Sequence, residues 1–276
     1  MKPVIKYVFA VGHRCYASDA IHRNMLRKFS SPFDFMIMDY SSAFEAINDK
    51  LVKFTKDIII CNKGIKRADI MQKQYTTDVS PKFAKLINNS NDLCYMRHNY
   101  NNRKISINQN YLPDELDPNM YNWKKCCIFL HHDLEDKFIV DTLNNRCNRF
   151  NYVIGTYTDD ILLFYISQIV SKDKVKEHID DILNKKKQNN IRSYLAIIIC
   201  SNDIEKETFV NNKEEKALIF LRKVSDYNTQ YQNNSVDNDA NVYNYYTKEI
   251  NIIKEHFIFN LIDKTTIDEE IKRHTK

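Results

Sequence analysis

Strand-like and helix-like stretches alternate along this chain. The alternation predicts an α/β protein, a layered sheet with helices on both faces and a Rossmann-like appearance. Three observations carry the prediction. Short apolar runs rich in Ile, Val and Phe are nearly continuous, as strands buried on both faces are. Between several of them lie stretches with apolar residues at helical spacing. Hydrophobic residues make up 43% and charged residues 28% of the 276 positions, which is ordinary for a globular protein with a sizeable core.

In chain order, Val4–Val11 reads as a strand broken only by Lys6, and Ser18–Lys28 as the helix after it. Phe33–Met38 is a strand that begins after Pro32, because the residue before a proline leaves the helical region. Ser42–Phe54 is helical and Asp57–Cys61 extended. Cys126–Leu130 is a strand followed by a helix over Leu134–Tyr152. Ile161–Ile166, Tyr194–Cys200 and Ala217–Leu221 are further strands, with a helix over Lys172–Lys187. Glu249–Lys276 reads as an amphipathic helix with a charged end.

Two stretches break the pattern. Residues 62–125 are polar, weakly periodic and rich in Asn, Tyr and Arg, as an insertion or binding lid is. Residues 227–246 read as a mobile surface loop. No internal repeat or Ser/Gly linker separates domains, so a single α/β domain over 1–276 is expected. With only 3 Gly, Asn and Asp are expected at many positions of positive φ.

Composition narrows the function. Against 36 acidic residues, 41 basic ones leave +5, too weak a balance for a nucleic-acid binder. No apolar run approaches a membrane span, so neither nucleic acid nor membrane is expected as a partner. The 7 cysteines are odd in number, and the opening MKPVIKYVFAV lacks the apolar length and cleavage site of a signal peptide. Reduced thiols in a cytoplasm-like compartment follow. There is no GxGxxG, no P-loop and no G-x-S-x-G elbow. Cys126-Cys127 lacks metal-knuckle spacing. No cofactor or metal is expected.

Four places carry chemistry. In Gly12-His13-Arg14-Cys15, a strand ends, Gly12 allows a sharp turn and a helix follows. Cys15 then sits near a helix N-terminus, where orphan amides favour the thiolate, and His13 and Arg14 add positive charge. The alternative is a structural thiol capping a turn. In His131-His132-Asp133, a strand ends in two histidines that alternation sends to opposite faces. One of them suits the role of a thiol's base, oriented by a carboxylate. Alternatively Asp133 caps the next helix and the histidines lie on the surface. Asp34 stands in an apolar run, where a charge needs a partner. It orients a catalytic His or pairs structurally with Arg27 or Arg14, and the structural pairing is preferred. Arg146 and Arg149 share a helix face. They bind a carboxylate or phosphate, or they satisfy the helix C-terminus, and the second is preferred.

Taken together, Gly12-His13-Arg14-Cys15, the segment Leu26 to Asp34, Phe129-Leu130-His131-His132-Asp133 and Arg146-Cys147-Asn148-Arg149-Phe150 resemble a family of "putative papain-like cysteine peptidases". Its members open with a strand, a Gly-x-x-Cys turn and a helix. They continue with Leu-Arg-x-x-Ser-x-Pro-Phe-Asp and carry Phe-x-His-(His)-Asp before a helix ending in Arg-x-x-Arg-Phe. The likeness covers roughly residues 1–170. It departs at Phe35, where the family pattern carries Trp, and in lacking the Cys-x-Ser-Cys-Trp surroundings of well-known papain enzymes. The resemblance implies Cys15 as nucleophile, His131 or His132 as base and Asp133 or Asp34 as orienter. It also implies a protein or peptide substrate, and a papain-like fold as the alternative architecture. Two other readings stand beside it. One is a nucleotide-sugar or phosphate-ligand transferase whose Arg14, Arg27, Arg146 and Arg149 bind phosphate. The other is a non-enzymatic viral or host interaction protein contacting partners through surface Tyr and Asn.

Overall fold

β-Branched and aromatic residues fill the strands of the central sheet, and alternation sends them to two separate cores. The computed structural model describes residues 2–11, 15–34, 36–61, 105–111, 127–129, 134–169, 172–201, 204–223 and 246–274. The elements are β1 (Val4–Ile5), β2 (Tyr7–Ala10), α1 (Cys15–Arg23), β3 (Met36–Met38), α2 (Tyr40–Asn48), β4 (Ile58–Cys61), β5 (Ile105–Asn108) and β6 (Cys127–Phe129). They continue with α3 (Lys137–Tyr157), β7 (Ile161–Ile169), α4 (Val175–Gln188), β8 (Tyr194–Ser201), β9 (Thr208–Asn212), β10 (Ala217–Lys223), α5 (Thr247–His256), β11 (Ile258–Phe259) and α6 (Lys264–His274).

The five-stranded sheet runs β2-β7-β8-β10-β9. Its first four strands are parallel, and β9 closes one edge antiparallel to β10. Phe9, Leu163, Tyr165, Ile197 and Ile219 face a core shared with α2, α3 and α4. Val8, Leu162, Phe164, Ile198 and Phe220 face a second core with α1 and α5. The protein is therefore α/β, with helices on both faces of a mixed sheet.

Three of the expected strands leave that sheet. β3, β4 and β6 join β5 in an antiparallel sheet ordered β3-β6-β5-β4. Met36, Met38, Cys127 and Phe129 pack it into the first core. Apolar runs alone do not tell which sheet a short strand will join. β5 and the helical turn Gln109–Tyr111 arise inside the expected polar insertion; the remainder of that insertion, and residues 227–245 of the expected mobile loop, lie outside the described residues.

Helix ends also differ from expectation. α1 stops at Arg23 and α2 at Asn48 because Met25, Lys50 and Leu51 take positive φ. Leu26 and Leu51 amides then close back onto the carbonyls of Ile21 and Ala46. Of the non-glycine residues described at positive φ, only Asp57 and Asn190 are Asp or Asn; Met25, Lys50, Leu51 and Lys216 take the rest. The expected single C-terminal helix is two, parted where Phe257 turns extended (φ −126°, ψ 157°). β11 there pairs in parallel with β1.

Two consequences are measurable. Phe150 is 1% exposed, with its ring centroid 4.9 Å from Phe9 and 5.2 Å from Phe33. Phe150→Ala should lose about 3–5 kcal/mol of stability in urea unfolding, through the cavity it leaves. Lys186 is 5% exposed and donates to the Glu215 carbonyl at 2.8 Å. Burial lowers its pKa to about 8. Between that value and the ordinary 10.5 the unfolded chain holds a proton that the folded chain has released. Stability therefore rises with pH across that window. Unfolding at about pH 7 and about pH 10 should shift in the wild type's favour, relative to Lys186→Met, at the higher pH.

Candidate functional site

The carboxyl end of β2 delivers the chain to α1. Val11 still donates to the Phe164 carbonyl at 3.0 Å, and α1 begins at Cys15. Cys15, described here by its backbone, is thus the first residue of a helix, among the orphan amides and at the positive end of the dipole. Gly12, His13 and Arg14 lie outside the described residues.

Ala17, Ala20 and Ile21 bury one face of α1 against the sheet. Ser18, on the same stripe, is 1% exposed and needs a partner. It finds Asp34: Ser18 Oγ donates to Oδ1 at 2.6 Å. Arg27 Nη1 donates to both Ser18 Oγ (2.8 Å) and Asp34 Oδ2 (2.9 Å), closing a triangle. The Ser31 amide and hydroxyl donate to Asp34 at 3.0 and 3.2 Å. Asp34 is fully buried and Arg27's side chain is 11% exposed. Four donors from the described residues thus reach this carboxylate, which can accept several hydrogen bonds. The preferred structural pairing of Asp34 with Arg27 is present.

Asp34 joins α1 to the turn before β3. Ser18 lies three residues past Cys15, on a shared helix face. Met36, the first residue of β3, pairs antiparallel with Phe129, the last of β6. His131, His132 and Asp133, which follow β6, lie outside the described residues. From α3, Arg146 lies within the field of Asp34 and Arg27.

Two expectations about α3 are corrected. Its N-cap is Asp136, whose carboxylate accepts from the Phe138 amide at 2.8 Å, so the capping role considered for Asp133 falls three residues later. The helix continues to Tyr157, so Arg146 and Arg149 are mid-helix and do not serve its C-terminus. Leu143, Cys147, Phe150 and Val153 extend the buried stripe past the expected end. Arg149 instead reaches Asp268 of α6 at 3.6 Å. Desolvation holds the Arg146 pKa below its usual value; Arg149 and Arg27 push the same way, and Asp34 opposes them.

Ser18 and Ser31 are the site residues the sequence reading did not single out. The available signal was Ser18's place on the apolar stripe of its helix, together with an Asp34 in need of donors.

The described thiol side chains are poor nucleophiles. Cys127, Cys147 and Cys200 are free and buried. Burial pushes Cys127 well above the ordinary thiol range, and Cys147 and Cys200 up to about 12. Among the described residues, no group of three or more His, Cys, Asp or Glu is placed to hold a metal. None of the described helices is long and apolar enough to cross a membrane.

No curated protein and no solved structure matches the chain. A family model does, over residues 6–203; its description reads "Putative papain-like cysteine peptidase (DUF1796)". That span takes in β2, the start of α1, the Asp34 turn, β6 and α3. On this match, over well more than half its length, the chain belongs to the family of putative papain-like cysteine peptidases.

Proposed function

We propose that this chain is a papain-like thiol hydrolase acting on the amide bonds of protein or peptide substrates. Cys15 is the nucleophile, one of His131 and His132 is the base, and Asp133 orients that histidine. The histidine takes the Cys15 proton as the thiolate attacks the acyl carbonyl. Amides at the start of α1 hold the oxyanion. The same histidine returns the proton to the leaving amine, and a thioester remains on Cys15. Water attacks that thioester, giving its proton to the histidine, and the thiol re-forms as the acid leaves. Asp34, engaged by Ser18, Arg27 and Ser31, ties α1 to the turn before β3.

The observation that carries this reading is the Ser18–Asp34–Arg27 network. It ties the helix that starts at Cys15 to the turn before β3, whose first residue faces the end of β6. That link supports pairing the Cys15 segment with the segment that follows β6 in this proposal. The raised pKa values of Cys127, Cys147 and Cys200 add support by removing rivals. One domain over 1–276 and a reducing, cytoplasm-like compartment belong to the same proposal.

Covalent trapping tests it. An epoxysuccinyl peptide, followed by peptide mass mapping of the full chain, should leave its adduct on the fragment carrying Cys15. The adduct should vanish when the protein is unfolded first. Labelling spread over several cysteines, or greater after unfolding, would count against the assignment.

A further inference from the structure

We propose that Arg146 is the recognition group of an oxyanion site, taking a carboxylate or phosphate group from a ligand. This goes beyond the hydrolase reading and does not depend on it. Arg146 lies in the field of Asp34, Arg149 and Arg27, and among the described residues Asp34 and Asp268 are already committed. Asp34 is taken by Arg27 at 2.9 Å. Asp268 is shared by Arg149 at 3.6 Å and Lys264 at 3.7 Å.

Arg146 has no such partner. Among the described residues no hydrogen bond or ion pair reaches its guanidinium, and its Nη1 is buried without an acceptor. Arg149, one turn along the same helix face, has its Nε buried without an acceptor. A cation withdrawn from water without an acceptor in direct contact destabilises the fold that holds it, and the charge of Asp34 offsets that only in part. A ligand anion would remove that penalty.

Arg146 is only partly buried, so solvent still reaches it. Its position in the middle of α3 excludes a role at the helix end. The planar fork of arginine suits paired oxygens, as a carboxylate or a phosphate presents them, where a lysine would offer only a point charge. The site lies beside Asp34, whose network anchors the helix that begins at Cys15. A ligand held there is close to the proposed nucleophile's helix.

The test is thermal unfolding of the full chain at low ionic strength, titrated with inorganic phosphate and separately with N-acetyl-aspartate amide. Wild type, Arg146→Met and, as a charge-matched control, Lys176→Met at an exposed position of α4 are compared. At least one anion should raise the melting temperature of wild type and Lys176→Met, with a saturating dependence. Arg146→Met should weaken that apparent affinity by at least about tenfold. Without anion, Arg146→Met should melt at or above the wild-type temperature. Protection by phosphate alone assigns a phosphate ligand, and protection by the aspartate derivative alone assigns a carboxylate. Equal protection of Arg146→Met overturns the site. So does a marked loss of its stability, or a failure to fold, since either would make Arg146 a structural group.

Discussion

Asp34→Ala is expected to lower the free energy of unfolding by about 3–5 kcal/mol, the scale seen when one partner of a buried ion pair is removed. The carboxylate is fully buried and Arg27's side chain is 11% exposed, so water does little to replace the lost partner. Ser18 Oγ and the Ser31 amide lose their acceptor in the same step. Each buried donor left unsatisfied adds about 1–3 kcal/mol, though these losses overlap within one network. Asp34→Asn keeps the shape and removes the charge, so comparing the two variants in urea isolates the ion pair. A loss below about 1 kcal/mol for Asp34→Ala would mean that the network does not hold the turn.

Cys15→Ala is expected to reduce the rate of substrate hydrolysis by up to about 10⁶-fold, as removal of the nucleophile does where nucleophile and base act as a unit. The reason is chemical: alanine offers no atom to form the thioester. Alternation along a strand sends neighbouring side chains to opposite faces. Only one of His131→Ala and His132→Ala should therefore approach the loss seen with Cys15→Ala. Steady-state kinetics on one peptide amide, with all three variants, checks both statements. Undiminished turnover in Cys15→Ala would remove this thiol from the chemistry.

The parallel strands of the central sheet are legible because strands buried on both faces need long apolar runs, and Ile161–Ile169 and Tyr194–Ser201 have them. β5 is not, since four residues within a polar stretch carry too little pattern. β9 is a partly exposed edge strand with the sequence TFVNN, and exposure erases the apolar signal. Helix ends were misjudged for want of punctuation. Met25, Lys50 and Leu51 take the left-handed conformation that glycine usually marks.

In the site, Asp34 was readable as a charge in an apolar run that must have a partner, and Arg27 is that partner. Ser18 was not, because a helical serine has the same one-letter signature whether it faces water or a buried carboxylate. Arg146 looked like a helix-end residue while α3 was expected to stop at Tyr152. Five more helical residues make it a mid-helix cation, and only tertiary structure shows that its neighbours' carboxylates are already engaged.

Whether Cys15 is an activated thiol is decided by the rate of its alkylation against pH. Iodoacetamide labelling should be compared for wild type, Cys15→Ser, His131→Ala and His132→Ala. One fast thiol is expected, with an apparent pKa well below about 8.5. That thiol should be absent in Cys15→Ser and shifted upward in one of the histidine variants. Uniformly slow thiols titrating at or above that value, unaffected by any of the three substitutions, would contradict it.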